Sequence, residues 1–221
     1  FRGFCVYWQV PACEPSAVNG VWVPGPGRRL FDAVRKCVPD LCLVAEDLGV
    51  ITDDVRGLME SLGLAGMRVL QFAFGGGPEN LYLPHQIPEH AVVYTGTHDN
   101  NTARGWWEDE AGPEVRAHVE AYWGRAVRSE EAAEVLIRLA LLSRAQWAVV
   151  PWQDYLGLGS AARFNTPGVA HGNWAWRAPE DACSPLLASR MREFAYLYGR
   201  VLELPKGTGK DKRPGDEPGR L

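Results

Sequence analysis

Ala91-Val92-Val93-Tyr94-Thr95-Gly96-Thr97-His98-Asp99-Asn100 is the stretch whose reading decides the fold. Ala91 to Thr97 is a nearly continuous apolar run, which suits a strand covered on both faces. Three polar residues follow at its carboxyl end. The same order appears earlier in the chain. Leu41 to Ala45 reads as a buried strand ending at Glu46-Asp47-Leu48-Gly49, and Met67 to Phe74 reads as another, followed by a loop from Gly75 to about Glu89. Between these two, Thr52 or Asp53 can cap a helix that runs to about Leu62, with Gly63 to close it. Downstream, helices over about Glu114–Trp123 and Glu130–Leu142 precede a fourth strand, Ala145 to Val150. Upstream, Leu30, Phe31, Val34 and Val38 fall at helical spacing until Pro39 stops the run.

Strands alternating with helices predict an α/β fold with a parallel sheet. Because polar residues gather after the carboxyl ends of the strands, a TIM-type (β/α)8 barrel fits better than a doubly wound sheet. Four strands make half a barrel. A half barrel leaves sheet edges unpaired, so a segment upstream of Phe1 is expected to matter for folding. The opening Phe1-Arg2-Gly3-Phe4 carries no initiator Met or leader, and the natural beginning is expected to lie upstream.

Composition narrows the function. With 23 Lys plus Arg against 27 Asp plus Glu, the net charge of −4 argues against nucleic acid as a partner. No apolar run approaches 18 residues, which argues against a membrane span. Cys5, Cys13, Cys37, Cys42 and Cys183 lack paired spacing, so free thiols are expected and no metal site. Nine Trp and seven Tyr are mostly expected in the core; a minority could serve as platforms for sugar faces, and composition alone does not separate the two. The Pro- and Gly-rich residues 1–29 predict an ordered loop, and Ala188 to Leu204 a further helix. Residues 205–221, rich in Gly, Pro and charge, are expected to be a disordered tail after a 1–204 domain.

Glu46 and Asp99 each follow a buried strand, on what would be the catalytic face of a barrel. Two carboxyl groups converging there suit glycosidic chemistry, with an acid/base beside an oxocarbenium-like centre. The alternative is that Glu46 and Asp47 cap the next turn and Asp99 bonds local amides. His98 could bond a sugar hydroxyl or be structural. Gly75-Gly76-Gly77-Pro78 lacks the Lys-Ser/Thr ending of a phosphate loop.

Seven segments, in order, carry a resemblance. They are Phe1-Arg2-Gly3-Phe4, Gly20-Val21-Trp22-Val23-Pro24-Gly25-Pro26-Gly27, Ala45-Glu46-Asp47-Leu48-Gly49 and Gly66-Met67-Arg68-Val69-Leu70-Gln71-Phe72-Ala73-Phe74. Tyr82-Leu83-Pro84-His85, Tyr94-Thr95-Gly96-Thr97-His98-Asp99-Asn100 and Gly172-Asn173-Trp174-Ala175-Trp176-Arg177 complete the set. Together they resemble the amylomaltase (disproportionating enzyme) family of 4-α-glucanotransferases across about residues 1–204, which implies the C-terminal half of a TIM barrel.

The resemblance implies retaining transfer of a segment of an α-1,4-glucan to the 4-hydroxyl of an acceptor glucose or glucan. Glu46 matches the general acid/base, and Asp99 the carboxylate that holds donor hydroxyls. His98, Asn100, Trp22, Phe72, Asn165 and Arg2 match substrate-binding positions. The family's nucleophile is the Asp of Asp-His-Phe-Arg-Gly, two residues before Phe1, and without it the chain alone is expected to be inactive. No cofactor is implied. Maltooligosaccharides and starch are the implied partners; oligomeric state is left open.

The sequence also departs from the family. Gly75-Gly76-Gly77 replaces acidic residues common in bacterial members and looks like the plant plastid branch. Asn101 stands where Asp is usual, and Phe164 where Met is common. The implied compartment is a plastid for a plant or algal protein and the cytoplasm otherwise. A hydrolase that passes the sugar to water, or a glucan-binding protein without catalysis, remains compatible with these residues.

Overall fold

The computed structural model describes residues 1–201. The expected disordered tail, 205–221, lies outside the described residues. Chain contacts divide the molecule into two units, Phe1–Arg177 and Ala178–Leu221.

The first unit opens with a hairpin where the sequence reading expected a loop. Strands β1 (Val6–Gln9) and β2 (Val21–Pro24) pair antiparallel, with Val6 opposite Pro24 and Gln9 opposite Val21. Trp8 and Trp22 face one another across the pair at 5.2 Å, edge to face. That aromatic cross-strand contact stabilises the ribbon. The β-branched and aromatic residues Val6, Tyr7, Trp8, Val21, Trp22 and Val23 carry the strand signal, which the density of Pro and Gly around them conceals.

Helix α1 (Arg28–Cys37) buries Phe31 against Phe4 and Phe1, at ring distances of 5.0 and 5.7 Å. Helix α2 (Asp53–Leu62) starts after Thr52, at the expected boundary but without a capping hydrogen bond from the Thr52 hydroxyl, and has Asp53 and Asp54 in its first turn, where the helix dipole favours negative charge. Gly63 ends it at φ 61°, a left-handed conformation that costs side-chain-bearing residues roughly 1 kcal/mol or more. Val55, Met59 and Leu62, at i, i+4 and i+7, form the buried stripe.

Strands β3 (Gly66–Val69), β4 (Ala91–Tyr94) and β5 (Trp147–Val149) lie side by side in chain order, all parallel. Ahead of them Val44 bridges Ala65, also parallel, and Ala45 N–H donates to the Ala65 carbonyl at 2.8 Å. Neighbours in sequence order are the pairing a TIM barrel requires. The expected strand over Leu41–Ala45 is therefore reduced to a single bridge. Its only ladder partner among the described residues is Ala65, and Leu41 and Val44 stay exposed.

Two strands also stop sooner than their apolar runs suggest. After Val69 the chain turns into a 3-10 helix, Leu70–Phe72, which carries Leu70, Ala73 and Phe74 into the core beneath the sheet. After Tyr94, side chains take over from the ladder: Asn100 Oδ1 accepts the Thr97 N–H at 2.9 Å, and Thr95 bonds a buried carboxylate.

The crossover from β4 to β5 is helical. A short helix, α3 (Ala103–Gly105), continues as a π-helical turn, Trp106–Glu110, and is followed by α4 (Pro113–Trp123) and α5 (Ser129–Leu142). The last two match the expected helices to within a residue at each end. Helix α5 is buried nearly all round through Ala132, Ala133, Val135, Leu136, Ile137, Leu139, Ala140 and Leu141. Each fully buried Leu, Ile or Val contributes about 1.5–3 kcal/mol, and Val135, Leu136 and Leu139 share one core cluster with Ala91 and Val93 of β4. A one-turn helix, α6 (Trp152–Tyr155), follows β5.

In the second unit, α7 (Pro185–Leu197) begins earlier than expected because Ser184 caps it. The Ser184 hydroxyl accepts the Leu187 N–H at 3.2 Å, and Pro185 takes the first helical position.

Candidate active site

The parallel strands end on a cleft of about 1180 Å³ whose walls include Glu46, Phe72, His98, Asp99 and Asn100. Five of the eight residues singled out from sequence thus meet in one place. Glu46, His98 and Asp99 all keep more than half their side-chain surface exposed, so each is open to a substrate.

Glu46 is aimed by the residue beside it. Asp47 turns inward and is buried; its Oδ1 accepts the Met67 N–H at 2.6 Å and its Oδ2 the Arg68 guanidinium at 2.9 Å. This ties the Ala45–Asp47 segment to β3 and leaves Glu46 facing the cleft. Gly66 makes the contact possible, since a Cβ there would lie 2.5 Å from Asp47 Oδ2. One oxygen of Glu46 also accepts the Leu48 N–H at 2.7 Å, so the capping alternative holds in part. The Phe1 nitrogen lies 3.0 Å from the Glu46 carbonyl oxygen and 3.7 Å from its Oε2.

Asp99 sits on the turn after β4. Its N–H donates to Thr97 Oγ1 at 3.3 Å, and Oδ1 accepts from Asn165 Nδ2 at 2.6 Å, with His98 Nε2 3.3 Å away. Asn165 joins the site through this bond. Asn100 lines the cleft, but its Oδ1 is taken up by both the N–H and the hydroxyl of Thr97, so it shapes the turn as well. Beneath the turn, Asp154 on α6 accepts from Thr95 Oγ1 at 2.6 Å and from Ala103 N–H at 2.7 Å, joining the chain before the turn to the chain after it. Burial pushes the Asp154 carboxyl up to about 6, partly opposed by those two hydrogen bonds.

Trp22 and Arg2 do not line this cleft. They pair with each other instead, the Arg2 guanidinium lying 4.5 Å over the Trp22 ring. Trp22 is half exposed, and Arg2 Nε is buried with no hydrogen-bond partner.

Two tyrosines that the sequence reading assigned no role belong to the site. Tyr82 meets the Phe72 ring edge to face at 5.6 Å, and Tyr82 and Tyr94 both line the cleft. Burial raises both phenols above their ordinary range, which keeps them hydroxyl donors. Trp174 lies 5.1 Å from His98 and 5.4 Å from Phe164, and its backbone is held at φ 60°, unusual for so bulky a residue. The ring therefore both packs and borders the site. Asn101 is buried and donates to Glu110 at 3.1 Å, a bond that an ionised Asp could not make. The Tyr82-Leu83-Pro84-His85 segment is otherwise structural, with His85 stacked on Tyr122. Among the described residues no His, Cys, Asp and Glu group could hold a metal ion.

Carboxylates on loops at the carboxyl ends of neighbouring parallel strands of one sheet, Glu46 before β3 and Asp99 after β4, define part of a TIM-type barrel site. The comparisons are specific about which. The 4-alpha-glucanotransferase family model matches residues 1–182, and the chain belongs to that family. It is 48% identical over 204 residues to the chloroplastic/amyloplastic 4-alpha-glucanotransferase of Arabidopsis thaliana, covering 91% of this chain and 35% of the relative. It is also 48% identical to the 4-alpha-glucanotransferase of Thermus thermophilus, over 91% of this chain and 41% of that protein. The fold resembles amylomaltase from Streptococcus agalactiae, solved in complex with acarbose, at a TM-score of 0.82 and 30% identity, covering 90% of this chain and 40% of that one. The chain thus spans well under half the length of these relatives.

Proposed function

We propose that the full-length protein containing this chain is a 4-α-glucanotransferase. It cleaves an α-1,4-glucan with retention and passes the donor segment to the 4-hydroxyl of an acceptor glucose or glucan. The observation that carries this reading is the convergence of Glu46 and Asp99 on one cleft at the ends of parallel strands, in a chain 48% identical to named 4-alpha-glucanotransferases.

Glu46 acts as the general acid and base. It protonates the glycosidic oxygen as that bond breaks, then takes the proton of the acceptor hydroxyl as the new bond forms. By resemblance the family's nucleophile is the Asp of an Asp-His-Phe-Arg-Gly motif whose Phe-Arg-Gly matches Phe1-Arg2-Gly3. Asp99 holds donor hydroxyls and stabilises positive charge at the reacting carbon, with His98 and Asn165 beside it. Phe72 and Tyr82 offer apolar walls to sugar faces. The acarbose complex of the Streptococcus agalactiae amylomaltase supports an oligosaccharide occupant. The plant relatives' names support a plastid for a plant or algal protein, and the bacterial relatives suit the cytoplasm.

The test is product chromatography of the full-length protein on maltotriose. Glucose together with a ladder of longer maltodextrins is expected. Glucose and maltose without longer products would replace the transferase by a hydrolase, and no products would remove the enzymatic reading.

A further inference from the structure

Arg163 stands on the loop after the 3-10 turn Ser160–Ala162 and does not line the main cleft. Its guanidinium nevertheless donates in three directions. Nη2 reaches the Asp99 carbonyl oxygen at 2.7 Å, Nε the Asn165 carbonyl oxygen at 2.9 Å, and Nη1 the Glu110 carboxylate at 2.8 Å. Asn165 in turn donates its backbone N–H to the His98 carbonyl at 3.1 Å and its Nδ2 to Asp99 Oδ1 at 2.6 Å. One planar group therefore fixes the backbone of Asp99 and the backbone of the residue that grips the Asp99 carboxylate.

We propose that Arg163 is a positioning residue for Asp99, aiming its carboxylate by locking residues 163–165 in register with residues 98–99. The inference rests on the glucan-transfer reading of the cleft. With Oδ1 held by Asn165, the rotation of the carboxylate is set and Oδ2 is left to meet a donor hydroxyl. The third arm supplies the anchor. Glu110 closes the π-helical turn and also receives the Asn101 amide, which bonds Ser160 at 2.9 Å. Ser160 is further bonded to Asp109 of the same turn. The guanidinium is thus pinned at the far side from the cleft by a group that is itself fixed. Lys could not replace it, because a single ammonium on a flexible stem cannot meet three acceptors spread around a plane. Loss of aim by about 1 Å lowers rates by up to about 100-fold.

The experiment compares full-length wild type, Arg163→Lys, Asn165→Ala and the double variant on maltotriose, with Tm measured for each. Arg163→Lys is expected to lower kcat about 10- to 100-fold, with KM changed less than about threefold and Tm within about 3 °C of wild type. In the Asn165→Ala background the same substitution is expected to cost less than about threefold, because the amide through which Arg163 orients the Asp99 carboxylate is gone. Wild-type kcat in Arg163→Lys overturns the proposal, and so does an undiminished loss in the Asn165→Ala background. Should Arg163→Lys fail to fold, Glu110→Gln carries the test. It keeps the size of the anchor, weakens one arm, and is expected to lower kcat about three- to tenfold with the same dependence on Asn165; wild-type kcat there also overturns the proposal. A wild-type protein that makes no longer maltodextrins refutes the transfer reading itself. A wild-type ladder with unchanged kcat in Arg163→Lys refutes only the positioning role.

Discussion

Around Asp99, restraints arrive from segments far along the chain: Asn165 on its carboxylate, Arg163 on its carbonyl, and Asp154 beneath the turn. Around Glu46 they are closer to hand. Its oxygen accepts the Leu48 N–H, and its neighbour Asp47 anchors the segment to the next strand. The difference follows from the proposed roles. A carboxylate that must hold donor hydroxyls in one orientation benefits from a rigid, externally braced frame. An acid/base that gives a proton to one oxygen and takes it from another needs an open side chain on a firm base. Here the base is Asp47, and Glu46 itself stays more than half exposed.

The largest effect that tests this contrast is at Glu46. Glu46→Gln keeps the Leu48 N–H contact through its amide oxygen and replaces the carboxyl with an amide that neither gives nor takes the proton. Transfer on maltotriose is expected to fall about 10²- to 10⁴-fold with no loss of stability in urea unfolding. A marked stability loss would mean that Glu46 is part of the frame rather than carried by it. Next comes Asp47. Asp47→Ala leaves the Met67 N–H without its acceptor and the largely buried Arg68 guanidinium with only the Met67 carbonyl. Breaking such a buried pair costs about 3 kcal/mol, and a change under about 1 kcal/mol in urea unfolding would show that Glu46 is based elsewhere.

Much of the frame was legible and much of the bracing was not. Helical spacing located α2, α4 and α5; α2 buries the stripe Val55, Met59 and Leu62 and is closed by Gly63, while α5 is apolar almost all round. Run length misjudged the strands, since Leu70 and Phe74 look the same whether they extend a sheet or leave it for the core. The hairpin at residues 6–24 was hidden because Pro and Gly punctuate its connection more densely than β-branched residues mark its strands. Glu46 and Asp99 stood out by position, after apolar runs. Arg163 and Asp154 act across 64 and 51 residues of chain, to Asp99 and Ala103 respectively, and no local pattern records such a bond. Asn101 was a partial exception: its departure from the expected Asp was visible, but its reason, the neighbouring Glu110, was not.

The smallest expected effect is on the pH dependence of the Asp154 brace. Its carboxyl is raised by burial from 3.8 to about 6 in the folded protein, so the folded state binds this proton more tightly than the unfolded chain. The stabilisation from protonated Asp154 is therefore full below about pH 4 and is lost as pH rises through about 6, the reverse of a salt-bridged Asp. Asp154→Asn imitates the protonated form. Its amide oxygen can accept the Ala103 N–H while its NH2 donates to Thr95 Oγ1, whose hydroxyl turns to accept. Other titrating groups are common to both proteins, so the difference in unfolding free energy isolates this carboxyl. Wild type minus Asp154→Asn should decline by on the order of 2 kcal/mol between pH 4 and pH 7 and be level above that. A difference that stays flat across this range would show that Asp154 ionises as freely folded as unfolded. The brace would then act through its two accepted hydrogen bonds with no cost from burying the charge.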